Sequence, residues 1–503
     1  MAAGDTTTAW LLGDQLHPES HVLDGVDRVL MIEATAFADR RPYHPQKLGL
    51  VFAAMRHARD DLRAAGYTVD YRRADTFGDA LDDHFAAHPG DNLRLMRPPS
   101  HGAADRLRDL VEARGGSLTL RTDDRFLCSP AAFDEWAGEE ESFRHEPFYR
   151  WMRRREDVLL DGDDPVGGRW NYDEENRETP PESWSPPPVP AFEPDDLTRD
   201  TLDWVDDRFD TWGTGEGFAW PVTRAQALDA LEQFVTHRLS EFGPYQDAMV
   251  GGEFALAHSL LSASLNLGLL RPGEVVDAAV DAWERDAAPL ASVEGFVRQV
   301  LGWREFMRHV YRRTMPGLAE DDLLDRSRAL PPLYYDGETE MQCLDEAVSH
   351  VFDHGYAHHI ERLMVLSNFA LLFGADPHEL NEWFQFGFVD AYHWVTTPNV
   401  LGMGAFATDA FTSKPYAASG NYIDRMSDHC DACRYDVDAT TGERACPFNA
   451  LYWDCLQEHE ETLRGTGRMG LMYAQADRKS DSEWAAIRER AARLRERAAS
   501  GEL

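Results

Sequence analysis

Cys430, Cys433 and Cys446 stand as C-x2-C-x12-C late in a 503-residue chain, and Cys343 stands alone upstream in EMQCLDE. Two thiolates one tight turn apart can grip one metal centre. A third soon after, and a fourth from a remote segment, would close the shell. Pro447 directly follows Cys446 in ACPFN, similar to the Cys-Pro ends of iron–sulfur sequences. The donor set suits a [4Fe–4S] cluster first and structural zinc second. Ordinary buried thiols are the plain alternative, least so for the close three and most so for Cys343.

Other residues could carry chemistry along a helix-rich stretch. In AHSLLSASLNLGLL, Ser259 and Ser262 could offer hydroxyls and backbone N–H groups to a phosphate, although serine at a helix start is routine. Trp303, Arg304, Glu305 and Phe306 place an aromatic, a cation and an anion within one turn, which also describes a helix with an internal ion pair. His354, His358 and His359 include an i,i+4 spacing, but without the glutamate of H-E-x-x-H a zinc hydrolase is not indicated. A core helix with one functional, proton-donating histidine suits them better. WFQFGFVDAYHWVTTPN is dense in aromatics, with Trp383, Phe384, Tyr392 and Trp394 as core or as an electron relay. Asp390 and Asn399 are its polar members, able to fix a heterocycle. FRHEPFYRWMRRR sets five arginines among aromatics, as DNA-backbone contact or as an amphipathic helix paired with acidic neighbours.

These residues need a scaffold. Short apolar runs (TAWLLGDQL, RVLMIEA, TVDYRRA, LRLMRP, LTLRT) alternate with helical patterns such as Gln46 to Ala65. That is a doubly wound α/β unit with a mostly parallel sheet over 1–130. Gly13, Asp14, Gln15 and Glu33 fall at its strand ends, where such sheets bind ligands. The first strand is not followed by G-x-G-x-x-G, so a dinucleotide fold is not indicated. Residues 131–222 are proline-rich and read as a long connection over the surface. From 223 to 503 the helical period dominates, with helices around 223–240, 274–284, 291–313, 343–372 and 377–394, and a terminal surface helix carrying Trp484, Ile487, Ala491 and Leu494 on one face.

Composition sets limits. Hydrophobic content of 43%, with 14 Trp, 25 Phe and 16 Tyr, rules out a disordered acidic protein. The net charge is −39, and Lys47, Lys414 and Lys479 are the only lysines beside 47 arginines. This looks like a halophile's solvated acidic surface, because molar salt screens self-repulsion to roughly 3 Å, with binding of cations or basic partners the lesser alternative. Such a charge opposes nucleic-acid binding at low salt but less so at high salt. No membrane-length apolar run or signal-like start occurs, and six cysteines in so long a chain imply no disulfide framework, so a cytoplasmic protein is expected.

Taken together, the WREF, HSLLS and DAYHWVTTPN runs resemble the cryptochrome/photolyase flavoproteins. GDQL, HHIERLM, KPYAASGNYIDRMSDHC and the cysteine spacing narrow this to the iron–sulfur, prokaryotic (6-4) photolyase branch, over nearly the whole chain. The resemblance implies an α/β antenna domain, a linker and an all-α FAD-binding domain. It implies Cys343, Cys430, Cys433 and Cys446 as ligands of a [4Fe–4S] cluster. Tyr245 and His258, Ser259, Leu260, Leu261 and Ser262 would lie near the flavin's diphosphate, and Arg304, Asp390 and Asn399 near its ring. Trp383 resembles the tryptophan that re-reduces the flavin, but Phe384 stands where a redox-active tyrosine is expected. A 6,7-dimethyl-8-ribityllumazine antenna would use Gly13, Asp14, Gln15 and Glu33. The implied activity is light-driven repair of (6-4) photoproducts in UV-damaged DNA by a monomer, with His359 the preferred proton donor, His358 the second candidate and Gln299 nearby. A cryptochrome-like blue-light receptor, or a zinc-stabilised nucleic-acid binding module, are the rival readings.

Overall fold

The structure, a computed structural model, describes residues 7–140, 142–181, 183–466 and 469–503. Five strands, β1 (Thr7–Leu11), β2 (Arg28–Ala34), β3 (Thr68–Ala74), β4 (Asn92–Met96) and β5 (Ser117–Arg121), form a parallel sheet in the order β3-β2-β1-β4-β5. The order reverses between β1 and β4, as in a doubly wound unit. Side chains alternate across the strands. Ala9, Leu11, Val29 and Met31 face helix α1 (Pro45–Ala64) and join the large core of the helical region. Trp10, Leu30, Ile32, Leu93 and Leu95 face α2 (Phe77–Ala87) and α3 (Ala103–Glu112) in a separate core. The first strand is shorter than its apolar run. It ends at Leu11 because Gln15 N–H turns back to the Leu12 carbonyl and Leu16 N–H bonds Leu267 O at 2.9 Å.

The proline-rich stretch is more structured than its composition implies. It contains helices at His145–Glu156 and Asp196–Arg208. The second packs on α1, where Arg56 donates to Thr201 Oγ1 at 2.9 Å. The first buries Phe148, Tyr149 and Met152, together with Arg153, which donates to the carbonyls of Val158, Leu159 and Trp170. Arg153 therefore serves the fold, while Arg154 and Arg155 stay exposed.

The helical region departs from its expected long helices in one consistent way. The 291–313 helix is interrupted by a π-helical segment at Arg298–Arg304. The 343–372 helix breaks after His354 and resumes as a π segment at Glu361–Ser367. The 377–394 helix ends at Gly387, and a third π segment follows at Pro398–Gly404. The terminal helix Asp481–Ala499 buries Ile487, Ala491 and Leu494.

One buried clamp fastens the edge of the sheet. His84 on α2 is fully buried, with Nδ1 2.8 Å from Asp70 of β3 and Nε2 3.4 Å from Asp91. Arg72 and Arg28 flank the two carboxylates. Burial alone would lower the His84 pKa, but the paired carboxylates outweigh it and hold it above its ordinary value of 6.5. The stabilisation is complete below the unfolded-state value and is lost as pH rises through the folded one. His84→Gln should cost about 3 kcal/mol near pH 6 and progressively less towards pH 9, checked by thermal melts at fixed salt.

Candidate active site

A cavity of about 1470 Å³ opens in the helical region, above the roughly 300–1,000 Å³ of ordinary small-molecule sites. All three π segments line it, contributing Gln299 and Arg304, Arg362 and Met364, and Asn399 and Met403. A π turn inserts an extra residue and re-aims its neighbours, which is why such turns gather at functional sites.

Asp390 is the carboxylate around which the wall is built. Arg362 grips it with two donors at 3.0 and 3.1 Å, and Ser262 Oγ donates at 2.7 Å. Asn266 donates to its backbone carbonyl at 2.9 Å. Burial would raise its pKa, but the Arg362 charge and these hydrogen bonds hold it below the usual carboxylate range. Arg304 donates to Arg125 O at 2.8 Å and lies over the rings of Phe126 and Trp394, while its buried Nε has no hydrogen-bond partner among the described residues. Asn399 donates to Val395 O at 2.8 Å.

The His258–Ser262 stretch is a strained turn. Leu256 and Leu260 have φ of +41° and +58°, a left-handed backbone that costs leucine about 1–3 kcal/mol each. Buried Arg238 pins the turn by donating to the carbonyls of Ala255 and Leu256. The helix begun by Ser262 has six residues, and the Ser262 hydroxyl is engaged by Asp390.

The candidate histidines separate. His359 and Gln299 line the cavity. Enclosure by the walls and the Arg362 charge push His359 down to about 4. His358 does not reach the cavity. It is fully buried, stacks on His258 at 4.8 Å, and its ring nitrogens have no hydrogen-bond partner among the described residues. Trp383 is also set back. Its Nε1 donates to Tyr334 O at 2.8 Å, and the stacked Phe384–Phe388 pair stands between it and the cavity. On its other side, Trp212 of the connecting segment lies 5.8 Å away.

Tyr245 falls outside the cavity. The helix Leu239–Tyr245 turns Phe242 to the wall and sends Tyr245 against Trp184, ring centroids 4.7 Å apart. At the strand ends, Asp14 is held by Arg125 at 2.9 Å, and Glu33 by Arg56, Arg73 and Tyr71. Gly13 sits against α1, where a Cβ would meet Met55 Sδ at 2.9 Å. Gln15 donates to Met96 O at 3.0 Å, but its buried Oε1 has no partner among the described residues.

Cys343, Cys430, Cys433 and Cys446 line one small cavity with Met341, Ile423 and Tyr435. Gly420 closes its wall, and a Cβ there would stand 2.8 Å from Cys446 Sγ. Among the described residues, no three of the four sulfurs lie mutually within 4.8 Å. One tetrahedral zinc with 2.3 Å arms would hold its sulfurs about 3.8 Å apart.

The family described as deoxyribodipyrimidine photo-lyase-related protein matches residues 9–220. The chain is 41% identical over 498 residues to a (6-4) photolyase of Agrobacterium fabrum, spanning 96% of this chain and 97% of that protein. The chain belongs to the cryptochrome/photolyase family, in its prokaryotic (6-4) photolyase branch. Its fold matches a bacterial class III photolyase from Agrobacterium tumefaciens with a TM-score of 0.59 at 18% identity, covering 94% of this chain and 98% of that one. It also matches a Synechocystis cryptochrome with a TM-score of 0.58 at 16% identity, covering 84% and 88%.

In this photolyase-branch chain, the sequence pattern missed Arg362 and Asn266. Arg362 lies three residues after His359 in HHIERLM, and only the π turn brings its guanidinium onto Asp390. Asp390→Ala would leave that guanidinium unpaired. It should lower the stability of the ligand-free protein by about 3 kcal/mol, and Asp390→Asn by about 1–2 kcal/mol, in denaturant titrations.

Proposed function

We propose that the chain is a light-driven (6-4) photolyase that acts on UV-damaged DNA, with FAD in the large cavity, a [4Fe–4S] cluster on the four thiols and a 6,7-dimethyl-8-ribityllumazine antenna at the ends of β1 and β2. The observation that carries this reading is the near full-length 41% identity to a (6-4) photolyase, joined to a cavity whose wall has matching chemistry. Arg304 Nε, buried and unpartnered among the described residues, and the Arg362–Asp390 pair fit a large anionic cofactor with a polar ring edge. They would hold FAD together with Asn399 and the His258–Ser262 turn. When bound and reduced, FAD supplies a photoexcited electron to the lesion and takes it back.

The remaining work falls to the chain's own side chains. Gly302 lets His145 stack flat on Trp303 at 3.8 Å, because a Cβ there would meet His145 Nε2 at 2.6 Å. The pair lines the cavity and offers a flat apolar face to a base extruded from the duplex. Arg144, Arg425 and Lys414 line the same cavity and can meet phosphates. His359 reaches the cavity and is neutral at neutral pH. The phosphates of a docked strand oppose the Arg362 charge, raising its pKa so that it can hold and release a proton beside the lesion.

The thiol site fits a cluster through its donor type, four thiols lining one small cavity. Its ligands would join the helix Gln342–His354 to the segment after Ser427. The antenna reading rests on Gln15 Oε1, a buried acceptor without a partner among the described residues.

Reduced protein under blue light should restore oligonucleotides carrying (6-4) photoproducts, assayed by chromatography. Normal FAD content without restoration would favour the blue-light receptor. His359→Ala should cut restoration at least about 100-fold with FAD content unchanged, and the wild-type rate, unlike the variant's, should fall as pH rises through the His359 pKa. Cys343→Ser should bring iron and acid-labile sulfide down to background and expose the 427–466 segment to limited proteolysis.

A further inference from the structure

Lys47 is one of three lysines in a chain that otherwise uses 47 arginines, and it is only 7% exposed. It projects from α1 of the α/β unit into the helical region. Its ammonium donates to Gln385 O at 2.6 Å and to Ala391 O at 2.8 Å. Gln385 lies in the last turn of the helix Pro377–Gly387, where carbonyls lack intrahelical donors and the helix dipole favours a cation. Ala391 directly follows Asp390. The two carbonyls therefore bracket the short turn that carries Asp390 to the cavity wall.

We infer that Lys47 is a positioning residue for Asp390: it ties the C-terminal carbonyls of the preceding helix to the Ala391 carbonyl and so fixes the turn that presents the Asp390 carboxylate. Asp390 then has a support on each side. Asn266 holds its own carbonyl, Arg362 and Ser262 hold its side chain, and Lys47 holds the peptide that follows. A lysine suits the place for steric and electronic reasons. Its compact head reaches two carbonyls from separate segments, with the rings of Tyr43 and Tyr392 at 5.3 and 5.9 Å. A planar guanidinium spreads its donors in a fork that does not match this arrangement.

The surroundings make the contact sensitive to pH. Asp390 faces Lys47 with opposite charge, while Arg41, itself paired with Glu382, opposes it. His44 and His393 also face it, and both are pushed down by burial and so are neutral at neutral pH. Tyr392 is held neutral by burial. Burial pushes Lys47 itself down to about 7. Its folded pKa lies below its unfolded one, so above about pH 7 the unfolded chain binds the extra proton. The protein's stability then rises with pH while the grip on the two carbonyls weakens.

The test is amide hydrogen exchange of ligand-free full-length protein, with residues 388–392 compared against β1 and β2. Lys47→Met should speed exchange at 388–392 about tenfold or more and leave the strands unchanged, and Lys47→Arg should restore it only in part. Wild-type exchange at 388–392, after correction for intrinsic rates, should rise between about pH 6 and pH 8.5, and the Met variant should be flat. Unchanged exchange in Lys47→Met, or full rescue by arginine with no pH step, overturns the inference. A second arm rests on the FAD reading: apoprotein should bind FAD about tenfold more weakly in Lys47→Met, followed by flavin fluorescence. Wild-type apoprotein that binds no FAD would sink the cofactor reading and leave the exchange result to decide Lys47. Wild-type binding unaltered by the Met variant would count against Lys47.

Discussion

The buried carboxylate of Asp390 is the constraint on which the rest of the cavity depends. An ionised carboxylate in the interior is tolerated only when paired and fully hydrogen-bonded, because desolvation alone costs several kcal/mol. Here the partners come from three distant parts of the chain: Lys47 on its neighbouring peptide, Ser262 and Asn266 from the short helix after the strained turn, and Arg362 from a π segment. Satisfying one negative charge thus brings α1 of the α/β unit against three elements of the helical region. A second set of buried charges reinforces the same junction. Arg125 bonds Asp123, Asp14 and the Asn266 carbonyl, and Arg308 approaches Asp123 at 3.6 Å. The two units are consequently joined by interior electrostatics as much as by their shared core.

This placement inverts the charge of the exterior. The molecule carries −39 overall, yet its cavity gathers Arg144, Arg298, Arg304, Arg362, Arg425 and Lys414. Walls of low dielectric focus such a local positive field, and it survives inside the cavity where exposed acidic charges are screened by salt. Asp173, paired with Arg298 at 2.5 Å, and Asp247, whose carboxyl burial pushes up to about 6, temper it at the rim. The arginines of FRHEPFYRWMRRR divide between the two readings of that run. Arg144 lines the cavity, whereas Arg153 is spent on carbonyls and on the Tyr149 and Trp170 rings.

Period and apolar runs were enough to read the sheet, because five short β-branched or leucine-rich runs alternate with amphipathic helices and the buried faces leave one register. They were not enough to read the helical breaks. A π turn changes the residue count by one without changing composition, so Arg298–Arg304 and Pro398–Gly404 look like helix in sequence. That one-residue change decides which side chains face the cavity, and it hid Arg362; Asp390 lies in a turn outside the π segments, and Asn399 stood out only as a polar residue in an aromatic run. Tyr245 packs on Trp184 outside the cavity, while the next residue, Gln246, is on its wall. Cys343 had no local signal: the other three thiols lie more than eighty residues away, and it entered as a remote fourth thiol that the family resemblance then favoured.

The remote thiols and the cavity are nevertheless one mechanical unit. The helix Gln342–His354 starts beside the thiol cavity at Cys343 and ends at Gly355, whose φ is +60°. A Cβ at Gly355 would collide with Val389 Cγ1 at 2.8 Å, and Val389 N–H bonds the Gly355 carbonyl at 2.9 Å. The turn that delivers His359 is therefore locked to the residue just before Asp390. Clamping the far end of this single rigid helix fixes the axial position of both His359 and the Asp390 turn. A displacement at Cys343 is carried along this helix to the Val389 contact, because packed interiors transmit strain.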